Sequence, residues 1–113
     1  MIIVGFTNKT SKILPQLLCR KFKHVAIIAL HKNTQIIMYQ FQKQHHIHKI
    51  QIQSRDIKIL ATHGWFFIYL PGTLPHDIEN SGACTCVQFA KHAIDLHAPL
   101  IQTPYALYKK IRR

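Results

Sequence analysis

The residue best placed to do chemistry in this sequence is Cys86, in the run Gly82-Ala83-Cys84-Thr85-Cys86-Val87-Gln88-Phe89-Ala90-Lys91-His92-Ala93-Ile94. A threonine just ahead of an apolar-periodic segment can cap a helix, because its hydroxyl accepts a bond from an N–H of the first turn. Cys86 is then the first helical residue, where exposed N–H groups and the positive end of the helix dipole favour a thiolate over a thiol. Val87, Ala90 and Ile94, with Phe89 and Ala93, recur at helical spacing and give the helix one apolar face. Two readings follow: a nucleophile presented by a helix, or a buried structural cysteine, the common condition of unpaired Cys.

Thiol catalysis needs a base near the sulfur and a third group to orient that base. His24 begins His24-Val25-Ala26-Ile27-Ile28-Ala29-Leu30, the most continuously apolar run of the chain. A strand end and a helix start can meet at one rim of a sheet, so His24 is the candidate base for Cys86. With nine histidines in the chain, the alternative is an ordinary polar residue at a strand start. For the third position, a three-residue turn His31-Lys32-Asn33 would pair Leu30 with Thr34 and set His24 opposite Gln40. Opposed side chains share a face about 4.5–5.5 Å apart at Cβ. The Gln40 amide oxygen would then hold the imidazole, less strongly than a carboxylate would. His45, His46 and His48 with Cys84 and Cys86 are a poor zinc set: Cys-x-Cys lacks the second pair, and only His46 and His48 share a strand face. No metal site is expected.

These groups must be positioned by a small number of elements. Ile2 to Phe6 reads as a strand. Ile13, Leu14, Leu17 and Leu18 mark a helix that also carries Cys19, with Pro15 in its first turn. The run from His24 to Leu30 is short and partly β-branched, as in a strand buried on both faces. Thr34–Phe41 and His45–Gln53 complete an antiparallel meander, with Ile50 and Ile52 on one face and Lys49, Gln51 and Gln53 on the other. Ser54 opens a short helix bearing Ile57, Leu60 and Ala61, which Gly64 ends. Trp65 to Leu70 is strongly β-prone. A loop from Pro71 to Ala83 leads to the Cys86 helix, which reaches about Leu96, and Thr103-Pro104 opens a last helix.

Composition limits the partners. The 113 residues suit one domain, and 48% of them are hydrophobic, too many for a disordered chain. No apolar run approaches the ~20 residues of a membrane-spanning helix. The start of the chain lacks the basic leader and long apolar region of a secretory signal. Three cysteines cannot all pair within one chain, so a reducing, cytoplasmic setting is expected. Fifteen Lys and Arg face only four acids, Asp56, Asp77, Glu79 and Asp95, giving a formal charge of +11. That balance favours polyanionic partners, although the cations are scattered apart from the cluster Lys109, Lys110, Arg112 and Arg113. So few acids argue against a carboxylate dyad or a Mg²⁺ site, and no cofactor is expected.

Four segments together resemble a known family. They are Gly5-Phe6 with the polar loop and Ile/Leu helix that follow, Phe22-Lys23-His24-Val25-Ala26-Ile27-Ile28, Thr85-Cys86-Val87-Gln88-Phe89-Ala90-Lys91, and Thr103-Pro104-Tyr105-Ala106-Leu107-Tyr108. They resemble the circularly permuted branch of the NlpC-type papain-like superfamily, which includes the lecithin:retinol acyltransferase group and many small bacterial or phage-associated proteins. In this branch the histidine precedes the cysteine, as here. The resemblance implies an α+β domain spanning 1–113, with the Cys helix packed on an antiparallel sheet. It also implies Cys86 as nucleophile, His24 as base, and transfer or hydrolysis of an acyl group on a peptide, cell-wall peptide or lipid. The backbone N–H of Cys86 would serve as one oxyanion donor. The family usually has a polar residue, often acidic or His, on the strand after the His-strand, where this chain offers only Gln35 and Gln40. The alternatives are a non-enzymatic module of the same fold, phage-associated or nucleic-acid-associated through its basic surface, and a toxin-like or regulatory partner protein.

Overall fold

Five residues in a row, Val25 to Ala29, are buried, which a strand achieves only with apolar material on both of its faces. A computed structural model of the chain describes residues 1–7, 24–31, 35–43, 46–78, 83 and 85–112 and places this strand at the centre of a five-stranded sheet. The strands are β1 (Ile2–Thr7), β2 (His24–Leu30), β3 (Ile36–Lys43), β4 (His46–Ile52) and β5 (Phe66–Leu70). They lie in the order β4-β3-β2-β1-β5, and every neighbouring pair is antiparallel. The helices are α1 (Ser54–Thr62), α2 (Cys86–Ala93) and α3 (Pro104–Ile111). The α+β class and the antiparallel meander of β2, β3 and β4 are as expected. The expected helix around Ile13–Leu18, with Cys19, lies outside the described residues, as do His45 and Cys84.

Strand alternation divides the core into two layers. On one face Val4, Phe6, Val25, Ile27, Ala29 and Tyr39 pack with Val87, Phe89, Ala90 and Ala93 of α2 and Leu107 of α3. On the other, Ile3, Ala26, Ile28 and Met38 are covered by Ile57 and Leu60 of α1 and by Trp65 and Phe67. The second layer is the thinner: α1 itself has no buried residue.

Helix boundaries follow local chemistry. Thr103 accepts a bond from the Ala106 N–H at 3.1 Å and Pro104 takes the first turn, as its missing N–H allows. The Tyr108 ring then meets Phe6 edge-on, 5.3 Å between centroids. The start of α1 differs from expectation. Its cap is Gln53 rather than Ser54, because the Asp56 carboxylate reaches back to accept from the Gln53 N–H at 2.8 Å. That reciprocal contact fixes the helix start one residue earlier. Gly64 ends the segment with φ +95°, a conformation open to glycine at no steric cost. At the far end, α2 stops at Ala93, short of Leu96, and Asp95 takes φ 56°.

The β2–β3 register also corrects the expectation. Leu30 pairs with Ile36, Ile28 with Met38 and Ala26 with Gln40. The turn is displaced by one residue along the chain, because the His31 N–H donates to the Gln35 carbonyl at 2.7 Å and so extends the ladder beyond Leu30 before the chain reverses. Gln40 therefore lies opposite Ala26, not His24. The shift is two residues, which keeps every side chain on its expected face.

Gly5 shows how tightly the α1 layer is fitted. It pairs with Ala26 and Phe67, and the Phe67 ring stacks on Trp65 at 6.1 Å, 11° from parallel. A Cβ on Gly5 would come within 2.9 Å of Phe67 Cε1 and 3.1 Å of Trp65 Cε3. Gly5→Ala is therefore expected to cost about 1–3 kcal/mol through overpacking, measured by urea denaturation. The same substitution made in a Phe67→Leu background should cost much less; equal costs in both backgrounds would rule out the ring contact as the cause.

Candidate functional site

Cys86 occupies the place its sequence setting implies. Thr85 is extended (φ −140°, ψ 162°) and caps α2, its Oγ1 accepting from the Gln88 N–H at 3.1 Å, while its carbonyl takes the Phe89 N–H at 3.0 Å. Cys86 follows as the first helical residue, half-buried and packed against the α2-side core. The first turn holds no acid, and the cations Lys91 and His92 fall in the last turn. The helix dipole thus acts on the sulfur with no carboxylate in that turn to oppose it, a setting that stabilises negative charge there. Lys91 is tied down, donating from Nζ to the carbonyls of Ala98 at 3.0 Å and Ile101 at 2.7 Å. Those bonds anchor the chain between α2 and α3 and hold the helix in place.

His24 opens β2 as expected, but its side chain belongs to the α1 layer. Its partner in the register is the buried Thr7, and its ring meets Trp65 edge-on at 6.3 Å and 85°. Desolvation by burial lowers its pKa below the ordinary 6.5, so the imidazole is neutral at neutral pH. Val25 and Ile27, which face α2, fix the opposite direction for His24 by strand alternation. Cys86 and His24 thus flank opposite faces of the sheet.

They do lie toward the same end of it. Ala93, the last residue of α2, and its C-cap Ile94 share a cleft with Ile2, and Ile2 pairs with Ala29 near the end of β2. Since α2 packs on β2, that directs its N-terminal end, with Cys86, toward the half of β2 that His24 begins. Gln40 is on the His24 face but two residues off the expected position. Its Nε2 donates to Met38 Sδ at 3.6 Å, and among the described residues no hydrogen bond joins it to His24. Of the histidines weighed for zinc, His48 is exposed, and no group of three metal-ligating side chains occurs among the described residues.

One concavity of the surface is not signalled by the sequence. A cleft of about 680 Å³ lies at the far rim, between the Pro71–His76 segment and the end of α2. Beside it His92 donates from Nε2 to Asp77 Oδ1 at 3.0 Å, and His97 likewise to Asp95 Oδ1 at 3.1 Å. Histidines 76, 92 and 97 and acids 77 and 95 are close in sequence, a crowding that was visible but fitted no motif spacing.

Burial of a neutral His24 has a signed consequence. Unfolded, the residue titrates near 6.5; folded, it titrates lower. Between those values the unfolded chain binds more protons, so stability rises with pH across that window. The contribution is complete above pH 6.5 and is lost as pH falls toward the folded value. The denaturation midpoint of His24→Phe should therefore fall less than that of the wild type on acidification from neutral pH. Parallel curves would show that His24 is not the group responsible.

No protein-family model, curated protein sequence or solved structure matches the chain, and the reading of the site rests on its own geometry.

Proposed function

We propose that the chain is a thiol hydrolase or acyltransferase of permuted papain-like type, with Cys86 as nucleophile and His24 as general base. The observation that carries this reading is the capped start of α2, where Thr85 holds the first turn and Cys86 is its first residue. A neutral His24 toward the same end of β2 adds the proton acceptor. In the reaction the Cys86 thiolate attacks a carbonyl carbon of an amide or ester, in a peptide, cell-wall peptide or lipid. The carbonyl π electrons move to oxygen and return as the C–N or C–O bond breaks. The proton that His24 took from the thiol passes to the departing amine or alcohol. The acyl-enzyme is then resolved by water or another acceptor, which gives its proton to His24 as the thiolate leaves. For this cycle the His24 ring must turn from Trp65 toward α2, a movement open to the first residue of a strand.

A second reading has a specific observation behind it. With His24 set on Trp65 and Gln40 bonded to Met38, the same domain would be a catalytically lapsed binding module, its +11 charge turned to a polyanion such as nucleic acid.

Thiol reactivity separates the two. Under the enzymatic reading, brief treatment with iodoacetamide near neutral pH modifies Cys86 well before Cys19 or Cys84. Thr85→Ala and His24→Ala each slow that modification, and loss of the cap costs about 1 kcal/mol of stability. Equal labelling of all three cysteines, unaffected by His24→Ala, would leave the lapsed module. In that case binding to duplex DNA should fall steeply as salt is raised.

A further inference from the structure

The sheet has two outer strands, and the chain treats them differently. An outer strand presents a row of N–H and C=O groups that can template pairing with another chain, and natural proteins blunt such edges with charge and bulges. β4 is blunted in both ways. It carries exposed His48 and Lys49, and its ladder with β3 is broken by an irregularity between Phe41 and Lys43. β5 has neither device. Its sequence is Phe66-Phe67-Ile68-Tyr69-Leu70, its pairing with β1 runs without a break, and no described strand lies beyond it. Phe66 and Tyr69 are 52% and 56% exposed, far more than rings of that size need to be on a covered edge.

We propose that β5 is a self-association edge, and that two copies of the chain join through antiparallel β5–β5 pairing centred on Ile68. Two features select a second copy as the occupant. The first is self-complementarity. Pairing about Ile68 sets Phe67 opposite Tyr69 of the other copy, twice, on the α1 face, and Phe66 opposite Leu70, twice, on the α2 face. Every ring thus meets an apolar or aromatic partner in the geometry that stabilises cross-strand pairs. Gly64 (φ +95°) before the strand and Pro71 after it limit the ladder, so this is the register that pairs all five residues. The second is charge. A chain of formal charge +11 repels its own copy, yet the segment from Gly64 to Pro75 contains no Lys, Arg, His, Asp or Glu. β5 lies within the stretch where two such copies meet with least repulsion.

The test is the solution mass of the full chain. Sedimentation or light scattering should show a species of about 26 kDa, twice the 13.2 kDa chain, whose population increases as salt is raised and the cationic bodies are screened. Tyr69→Lys, at an exposed position, should return the mass to 13.2 kDa with an unchanged circular dichroism spectrum, whereas Gln51→Lys on β4 should leave the dimer intact. A wild type that remains at 13.2 kDa at high concentration and high salt overturns the proposal, and so does a Tyr69→Lys protein that is folded and still dimeric. Should Tyr69→Lys fail to fold, hydrogen exchange on the wild type decides. Amides of 66–70 that become slower to exchange as concentration rises support the edge, and amides indifferent to concentration refute it.

Discussion

The structure depends on one constraint: β2 is buried on both faces. Val25, Ile27 and Ala29 need apolar cover on one side of the sheet and Ala26 and Ile28 on the other, and the chain supplies it with unequal means. α2 and α3 bring Val87, Phe89, Ala90, Ala93 and Leu107 to the first face, while the second relies on a short surface helix and the Trp65–Phe67 stack. Once α2 is committed to the odd-numbered residues of β2, the even-numbered ones, His24 among them, must point to α1. Cys86 and His24 are therefore separated by the sheet they share through the same alternation that builds the core. Bringing them together requires movement at a strand end, where the ladder is weakest, and leaves the centre undisturbed.

Much of this was legible in the residues. The continuous apolar run from Val25 to Ala29 marks a doubly covered strand without ambiguity. Thr85 and Thr103-Pro104 mark two helix starts because capping is local chemistry, written in neighbouring residues. The pairing of Leu30 was not legible in the same way. Where the turn begins is decided by a backbone bond, from the His31 N–H to the Gln35 carbonyl, and no side chain announces it. Nor could the sequence say which face of β2 would receive α2, since both rows of its side chains are equally apolar. That choice is tertiary, and it placed Gln40 beside Met38 and His24 beside Trp65. The cleft at the far rim was hidden for a similar reason: its wall joins the segment after β5 to the end of α2, which only folding brings together.

The acids are used sparingly and structurally. Asp56 completes the start of α1, Asp77 receives His92, and Asp95 receives His97. The cations near the end of the chain settle on aromatic faces, Lys109 over Tyr105 at 5.4 Å and Arg112 over Tyr108 at 5.6 Å. Such contacts hold a side chain while leaving its charge uncompensated. These two cations thus lie on rings at the surface of α3, outside the core.

The place of β1 has a consequence for how the chain reaches this structure. β2, β3 and β4 follow one another and can pair as they are made, but β1 sits between β2 and a strand that begins some sixty residues later, Phe6 meeting Phe66 and Ile2 meeting Leu70. Closing so long a loop must be paid for in chain entropy before any contact rewards it. The meander with β1 on its flank is therefore the natural early assembly, and the arrival of β5 the slow one. Until it arrives, β1 keeps an open edge, and the uncharged Trp65–Leu70 run waits in solution. The basic charge of the remainder, unfavourable to the folded state, keeps copies of the chain apart during that interval.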